Sequence, residues 1–147
     1  MVLCAAPDYL LERGQPQSVA DLAHHAAINY LRAGRVLPWE LMDNEGTSHT
    51  FTPRSSLNMD DLQAICDAGL AGHGIAWLPC WMASREIHQG KLIPLLKQAP
   101  EVRFDVHAVW QKTPHLPLRV RIAVDMLASR LPSVLSLDLS APIKKPR

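Results

Sequence analysis

Cys80 follows Leu78-Pro79 and opens a predicted helix, a position where aligned peptide dipoles favour a thiolate. A nucleophile or redox sensor there would also need a histidine and an acid, and the neighbouring sequence gives no cue for either. A half-buried structural thiol is the preferred reading. Gly69, Gly72 and Gly74 follow a helix and precede a strand, whereas dinucleotide-binding glycines follow a strand and open a helix. They are read as a helix C-cap and corner. The 7 histidines are dispersed, without H-x-x-x-H or H-E-x-x-H spacing, so no metal site is expected. His24-His25 stands at a helix end, where the macrodipole favours a cation. Lys144, Lys145 and Arg147 make a basic tip too short for more than weak, salt-sensitive phosphate contact. Neither a catalytic residue nor a cofactor is expected.

Binding chemistry is better supplied. In an open α/β sheet, ligands sit beyond the carboxyl ends of the strands. Two stretches hold that place: Leu31-Arg32-Ala33 after the strand Ile28-Asn29-Tyr30, and Asn58-Met59-Asp60 after Ser56-Leu57. Free N–H groups of a helix starting near Asp60 can hold a carboxylate, with Asn58 as N-cap or ligand contact. Arg32 can add a bidentate charge pair. The competing readings, that Asn58 only caps the helix and that Arg32 is a solvated loop residue, stay open at this point.

The elements that must position these residues alternate between strand and helix. Val2–Ala5 is predicted as a buried strand, followed by a short helix over Asp8–Glu12 and a turn at Gly14-Gln15-Pro16. Ser18-Val19-Ala20-Asp21 resembles a capping box with Asp in place of Glu, opening a helix over Ala20–His25. Ile28–Leu31 and Val36–Leu41 read as strands, the second broken near Pro38. A turn at Asn44-Glu45-Gly46 returns through His49–Thr52. The helix Asp60–Leu70 gathers Leu62, Ile65, Cys66, Gly69 and Leu70 on one face. The strand Ile75–Leu78 precedes a helix over Trp81–His88, which Gly90 closes as its C′ residue. Leu92–Leu96 and Val106–Trp110 are predicted strands around a charged turn at Pro100-Glu101.

The last helix covers Pro117–Leu131, with its apolar positions Val120, Ala123, Val124, Leu127 and Leu131 at helical spacing. Left solvated, it would forgo roughly 1.5–3 kcal/mol per large apolar side chain. It is therefore expected to pack on its own sheet or to mediate self-association. Trp77, Trp81 and Trp110 are expected in core packing. The pattern as a whole argues for a largely parallel α/β sheet.

A chain of 147 residues fits one domain, and its net charge of +1 gives no long-range pull towards nucleic acid or an anionic surface. No apolar run is long enough for a membrane span, and the N-terminus lacks a secretory pattern. The 3 cysteines form no C-x-x-C pair and suit a reducing cytoplasm.

Several stretches, in order, resemble the effector-binding half of LysR-type transcriptional regulators. Val2-Leu3-Cys4-Ala5-Ala6-Pro7-Asp8-Tyr9-Leu10 is similar to the family's V-C-A-S-P-x-Y-L segment. Pro16, Ala20-Asp21-Leu22 and His25 follow its G-x-P-x-x-P-x-D-L-x-x-H segment, which makes His25 structural. Trp39 falls where many members carry tryptophan. Asn58 through Pro79 resembles the N-D…A-G-x-G-I-A-x-L-P signature, and Gly90–Leu96 resembles G-x-L-V-x-L-L. Val109-Trp110 through Arg130-Leu131 resembles Y-x-x-x-R-H-L-P-x-x-V-R-x-x-x-D-x-L. Departures are Cys80 where L-P-D is common, Ser84-Arg85-Glu86 for an Ala-Asp-rich stretch, and Pro114 for the commoner arginine.

The resemblance implies a periplasmic-binding-protein-like (type 2) three-layer α/β sandwich. Residues 1–107 would be the second effector-binding subdomain. Residues 108–134 would hold the returning strand end and the C-terminal helix of the first subdomain, and 135–147 a flexible tail. The winged helix-turn-helix and most of the first subdomain are expected to be absent from this chain. It further implies non-covalent capture of a small anionic or aromatic effector at Leu31, Arg32, Ala33, Asn58, Met59 and Asp60. A homo-oligomeric cytoplasmic regulator that contacts DNA only through its absent N-terminal domain, and no membrane, is the expected setting. A truncated module that heterodimerises with full-length regulators is a second reading, and a Cys80-dependent thiol enzyme a third.

Overall fold

In the computed structural model, Val2–Ala5 (β1) leads through Pro7–Arg13 (α1) and a 3-10 segment, Ala20–His24, to Ala27–Arg32 (β2). Arg35–Val36 (β3), Trp39–Met42 (β4), Ser48–Phe51 (β5) and Leu57–Met59 (β6) follow. Leu62–Leu70 (α2), Ile75–Leu78 (β7), Cys80–His88 (α3), Ile93–Pro94 (β8) and Leu118–Leu135 (α4) complete the order. The structure describes residues 1–43, 45–54, 57–96, 105–111 and 115–135. Asn44 of the predicted turn, Ser56 of the predicted strand, the turn at Pro100-Glu101, Pro114 and the tail from residue 136 lie outside the described residues.

The main sheet runs β3-β2-β7-β1-β8, with β6 also paired to β2. β2 is parallel to both β6 and β7, so α2 carries the chain from one flank of β2 to the other. β1 is antiparallel to both β7 and β8, so α3 carries the chain across β1 in the same way. The sheet is therefore mixed. β2, β6, β7 and β8 share one direction, while β1 runs against them in the middle and β3 turns back as a hairpin. The two helical crossovers join strands of like direction, β6 to β7 and β7 to β8, but a third strand separates each pair, and the largely parallel sheet expected from the alternation of elements is not what forms. The direction of β1 depends on its partners, which alternation does not specify.

Strand alternation sends side chains to two cores. Cys4, Ile28, Ala76 and Leu78 pack with Ile65, Cys66, Ala83 and Ile87 of α2 and α3. Leu3, Ala5, Ala27 and Ile75 pack on the other face with Tyr9 of α1, Leu22, and Trp39 and Leu41 of the separate β4–β5 hairpin. This is a three-layer arrangement. Both helices close as the glycines predict: His73 N–H bonds to Ala68 C=O and Lys91 N–H to Glu86 C=O, with Gly72 and Gly90 at the C′ positions.

Further expectations are overturned or narrowed. Val106–Trp110 forms no strand among the described residues, and Val109 is 91% exposed. A strand exists only by pairing, and no described strand lies alongside. Leu92–Leu96 shortens to the two residues that reach β1. Of the two roles expected for the final helix, packing on its own sheet is the one it does not take. It touches α3, extends through Pro132 to Leu135, and leaves Leu118, Ile122 and Met126 exposed. Of the three tryptophans assigned to core packing, Trp77 is partly buried against the core, but Trp81 and Trp110 are about half exposed, at 49% and 48%.

The capping box forms, but it starts a 3-10 turn rather than an α-helix. The Asp21 carboxylate accepts from the N–H groups of Gln17 and Ser18, and Ser18 Oγ accepts from Asp21 N–H. Those backbone donors hold the Asp21 carboxyl below the usual carboxylate range.

Just beyond, the Tyr9 hydroxyl accepts from Ala26 N–H at 2.9 Å and lies 3.2 Å from His25 Nδ1. Burial lowers the His25 pKa, with Asp21 opposing the shift. The unfolded chain therefore takes up this proton first as pH falls through about 6.5. Stability from neutral His25 is complete above that value and is lost as pH falls towards the lowered folded pKa. The thermal midpoint should drop in this window, and His25→Gln should flatten the drop. Tyr9→Phe, which strips Ala26 N–H of its acceptor, should cost about 1–2 kcal/mol in urea unfolding.

Candidate ligand-binding site

The parallel pairing of β2 with β6 sets Ile28 against Leu57, Asn29 against Asn58 and Tyr30 against Met59. Both strands end at the same edge of the sheet. Continuing this register brings Leu31, Arg32 and Ala33 to the same end as Met59 and Asp60. Two segments 25 or more residues apart in sequence thus meet because neighbouring strands lie about 4.8 Å apart.

The local geometry differs from the expected one in two ways. Leu31 and Arg32 still belong to β2, and Ala33 (φ 50°) and Gly34 (φ 75°) form a tight hairpin turn into β3. This is a type I′ pattern, which needs positive φ at both central positions, so Ala33 takes a strained conformation where glycine or asparagine is usual. Arg32 faces Arg35 across this hairpin, and both are exposed. Two guanidinium groups therefore stand at one strand end.

Asn58 does not cap the following helix. α2 begins at Leu62, and Asp61 is its N-cap: Asp61 Oδ1 accepts from Ala64 N–H at 2.8 Å. A carboxylate already occupies the helix N-terminus, with Asp60 exposed beside it. An anionic ligand is consequently better served by Arg32 and Arg35 than by α2 itself. Freed from capping, Asn58 accepts a hydrogen bond through Oδ1 from Asn29 Nδ2 at 3.2 Å.

Asn29 went unnoticed in the sequence. It is 1% exposed and donates from the same Nδ2 to the Pro53 carbonyl at 3.3 Å. Among the described residues its Oδ1 has no partner. The available signal was an amide in the middle of the apolar run Ala26-Ala27-Ile28-Asn29-Tyr30-Leu31, since a buried polar group requires partners.

Cys80 is the first residue of α3 and half-buried, with no histidine in hydrogen-bond contact among the described residues. Burial raises the pKa of the Cys66 thiol, with Asp67 and Glu86 adding to the shift, and burial also raises that of Cys4. No group of three His, Cys, Asp or Glu side chains among the described residues is placed to hold a metal ion. A separate recess of about 500 Å³ lies between Trp110, His115 and Leu116 and the α4 residues Arg121, Val124 and Asp125.

A family model described as "LysR substrate binding domain" matches residues 1–132. The chain belongs to the LysR substrate-binding domain family. Its relatives include the HTH-type transcriptional regulator CrgA of Neisseria meningitidis serogroup C (strain 8013). CrgA is 32% identical over 129 residues, which are 86% of this chain and 42% of that protein. The HTH-type transcriptional activator AaeR of Escherichia coli (strain K12) is 32% identical over 130 residues, 86% of this chain and 41% of that protein. The chain thus spans less than half the length of these relatives. Among solved structures, the regulatory domain of Neisseria meningitidis CrgA is 29% identical with a TM-score of 0.74, covering 88% of this chain and 63% of that one. As a LysR substrate-binding domain, the chain has the type 2 periplasmic-binding-protein-like architecture, and its relatives are transcriptional regulators rather than enzymes. Among the described residues no helix is long and apolar enough to cross a membrane.

Proposed function

We propose that this LysR domain senses a small-molecule effector on behalf of a cytoplasmic, homo-oligomeric DNA-binding regulator. The effector sits at the common carboxyl end of β2 and β6, contacting Leu31, Arg32, Ala33, Asn58, Met59 and Asp60. The observation that carries the reading is the parallel register that brings these six residues to one sheet end. Arg32 and Arg35 supply positive charge for an anionic or aromatic acid, and Asn58, free of capping duty, supplies an amide. DNA contact belongs to a helix-turn-helix domain, in keeping with the names of CrgA and AaeR. Residues 1–107 act as the second effector-binding subdomain, and residues 108–134, which hold most of α4, pack with the first. That assignment accounts for the exposed apolar face of α4.

Effector binding regulates by stabilising one arrangement of the oligomer over another, and only to the extent of its differential affinity. The test is the thermal midpoint of the purified chain against small carboxylates, amino acids and aromatic acids. A ligand at 100 times its dissociation constant adds about 2.7 kcal/mol, which is several degrees in a domain of this size. Arg32→Ala should weaken binding about tenfold or more through loss of a charge-assisted pair. A cooperative transition that no acid shifts would rule this site out.

A further inference from the structure

We infer that Asn29 is an effector-recognition residue and that the effector carries an O–H or N–H donor next to its carboxylate. The inference rests on the effector reading of the β2–β6 end and specifies what that site selects. The amide orientation of Asn29 is fixed by chemistry. Its Nδ2 lies 3.3 Å from the Pro53 carbonyl, which only accepts, so the nitrogen must face Pro53. The second Nδ2 proton goes to Asn58 Oδ1 at 3.2 Å. Both donors are then used, and Oδ1 is left as a buried acceptor without a partner among the described residues. Such an atom is costly to bury unless a donor reaches it at some stage of the working cycle.

The same bond orients Asn58. With its Oδ1 committed to Asn29, the Asn58 Nδ2 points away from that contact on an exposed residue. Asn29 and Asn58 are register partners on adjacent parallel strands. One donor and one acceptor therefore stand side by side at the spacing of neighbouring strands. A carboxylate oxygen on Asn58 Nδ2, with a hydroxyl or ammonium on the adjacent carbon directed to Asn29 Oδ1, satisfies both. The matching ligand class is a 2-hydroxy or 2-amino acid.

Calorimetric titration of the whole chain with matched pairs tests this: lactate and alanine against propionate, and mandelate and phenylglycine against phenylacetate. The 2-substituted member should bind the wild-type chain at least about tenfold more tightly, because a site built for a donor penalises the analogue that lacks it. The hydroxy and amino arms decide which donor is preferred. Asn29→Leu should abolish the discrimination, while Asn58→Ala should weaken both members of a pair and keep it. Equal binding of paired acids would overturn the role of Asn29 and leave the effector site standing, with an ordered water as the partner of Oδ1. No binding by any acid would overturn the effector reading itself. If Asn29→Leu does not unfold cooperatively, the Asn29 side-chain amide signal of ¹⁵N-asparagine-labelled wild-type chain decides. A shift with the 2-substituted acid alone supports the inference, and equal shifts with both overturn it.

Discussion

Gly74→Ala should lower the stability of the domain by about 3 kcal/mol or more, a fall in thermal midpoint of roughly 10 °C or beyond. A Cβ at this position would lie 2.7 Å from the Ala26 carbonyl oxygen and 3.0 Å from its carbon. That carbonyl cannot move aside, because it accepts from Ile75 N–H at 2.8 Å and from the Tyr9 hydroxyl at 3.4 Å. The backbone at Gly74, with φ of 155°, adds a conformation that L-residues rarely adopt. Gly72→Ala, two residues earlier, separates the two effects. Gly72 has φ of 78° but nothing within 4 Å of a new Cβ, so only the backbone strain of about 1 kcal/mol applies. Urea unfolding of both variants checks the prediction, and equal losses would show that the contact with Ala26 is not what requires glycine.

Ile28→Ala should cost about 3 kcal/mol, within the usual range for deleting a buried branched side chain and leaving a cavity. Ile28 is 1% exposed and packs in the core formed by Ile65, Cys66, Leu78 and Ile87. It sits where β2 is paired on both edges, with Leu57 of β6 and Ala76 of β7. Loosening it also loosens the register of the next residue, Asn29, against Asn58. The variant should therefore lose effector affinity as well as stability, without any contact to the ligand. Leu11→Ala is the control: Leu11 is 84% exposed, and its truncation should change the denaturation midpoint little. A stability loss for Ile28→Ala with unchanged ligand affinity would separate the core from the site.

Local chemistry made much of this fold legible. Pro7, Gly72, Gly90 and the Ser18–Asp21 box each act within a few residues of themselves, and each element they bound stands close to where the sequence places it. The apolar face of α2 was likewise readable, since Ile65 and Cys66 are fixed by helical spacing alone. The ordered LysR-like segments carried the family assignment.

Whatever depends on a distant partner was decided by tertiary structure. Val106–Trp110 has strand composition, but β-propensity cannot provide a neighbouring strand. The sequence pointed to Asn58 as the helix cap, and the extent of β6 gave the cap to Asp61 instead. The apolar spacing of α4 correctly marked a helix but could not say what covers it. Asn29 is the clearest case. Its residue type was visible, whereas its burial, its bonds to Pro53 and Asn58, and an oxygen without a partner among the described residues exist only once β2 and β6 lie in parallel register. Short-range rules fixed the elements and their ends because helix and turn energetics are local. The binding edge was set by strand register, which joins residues that the sequence holds far apart.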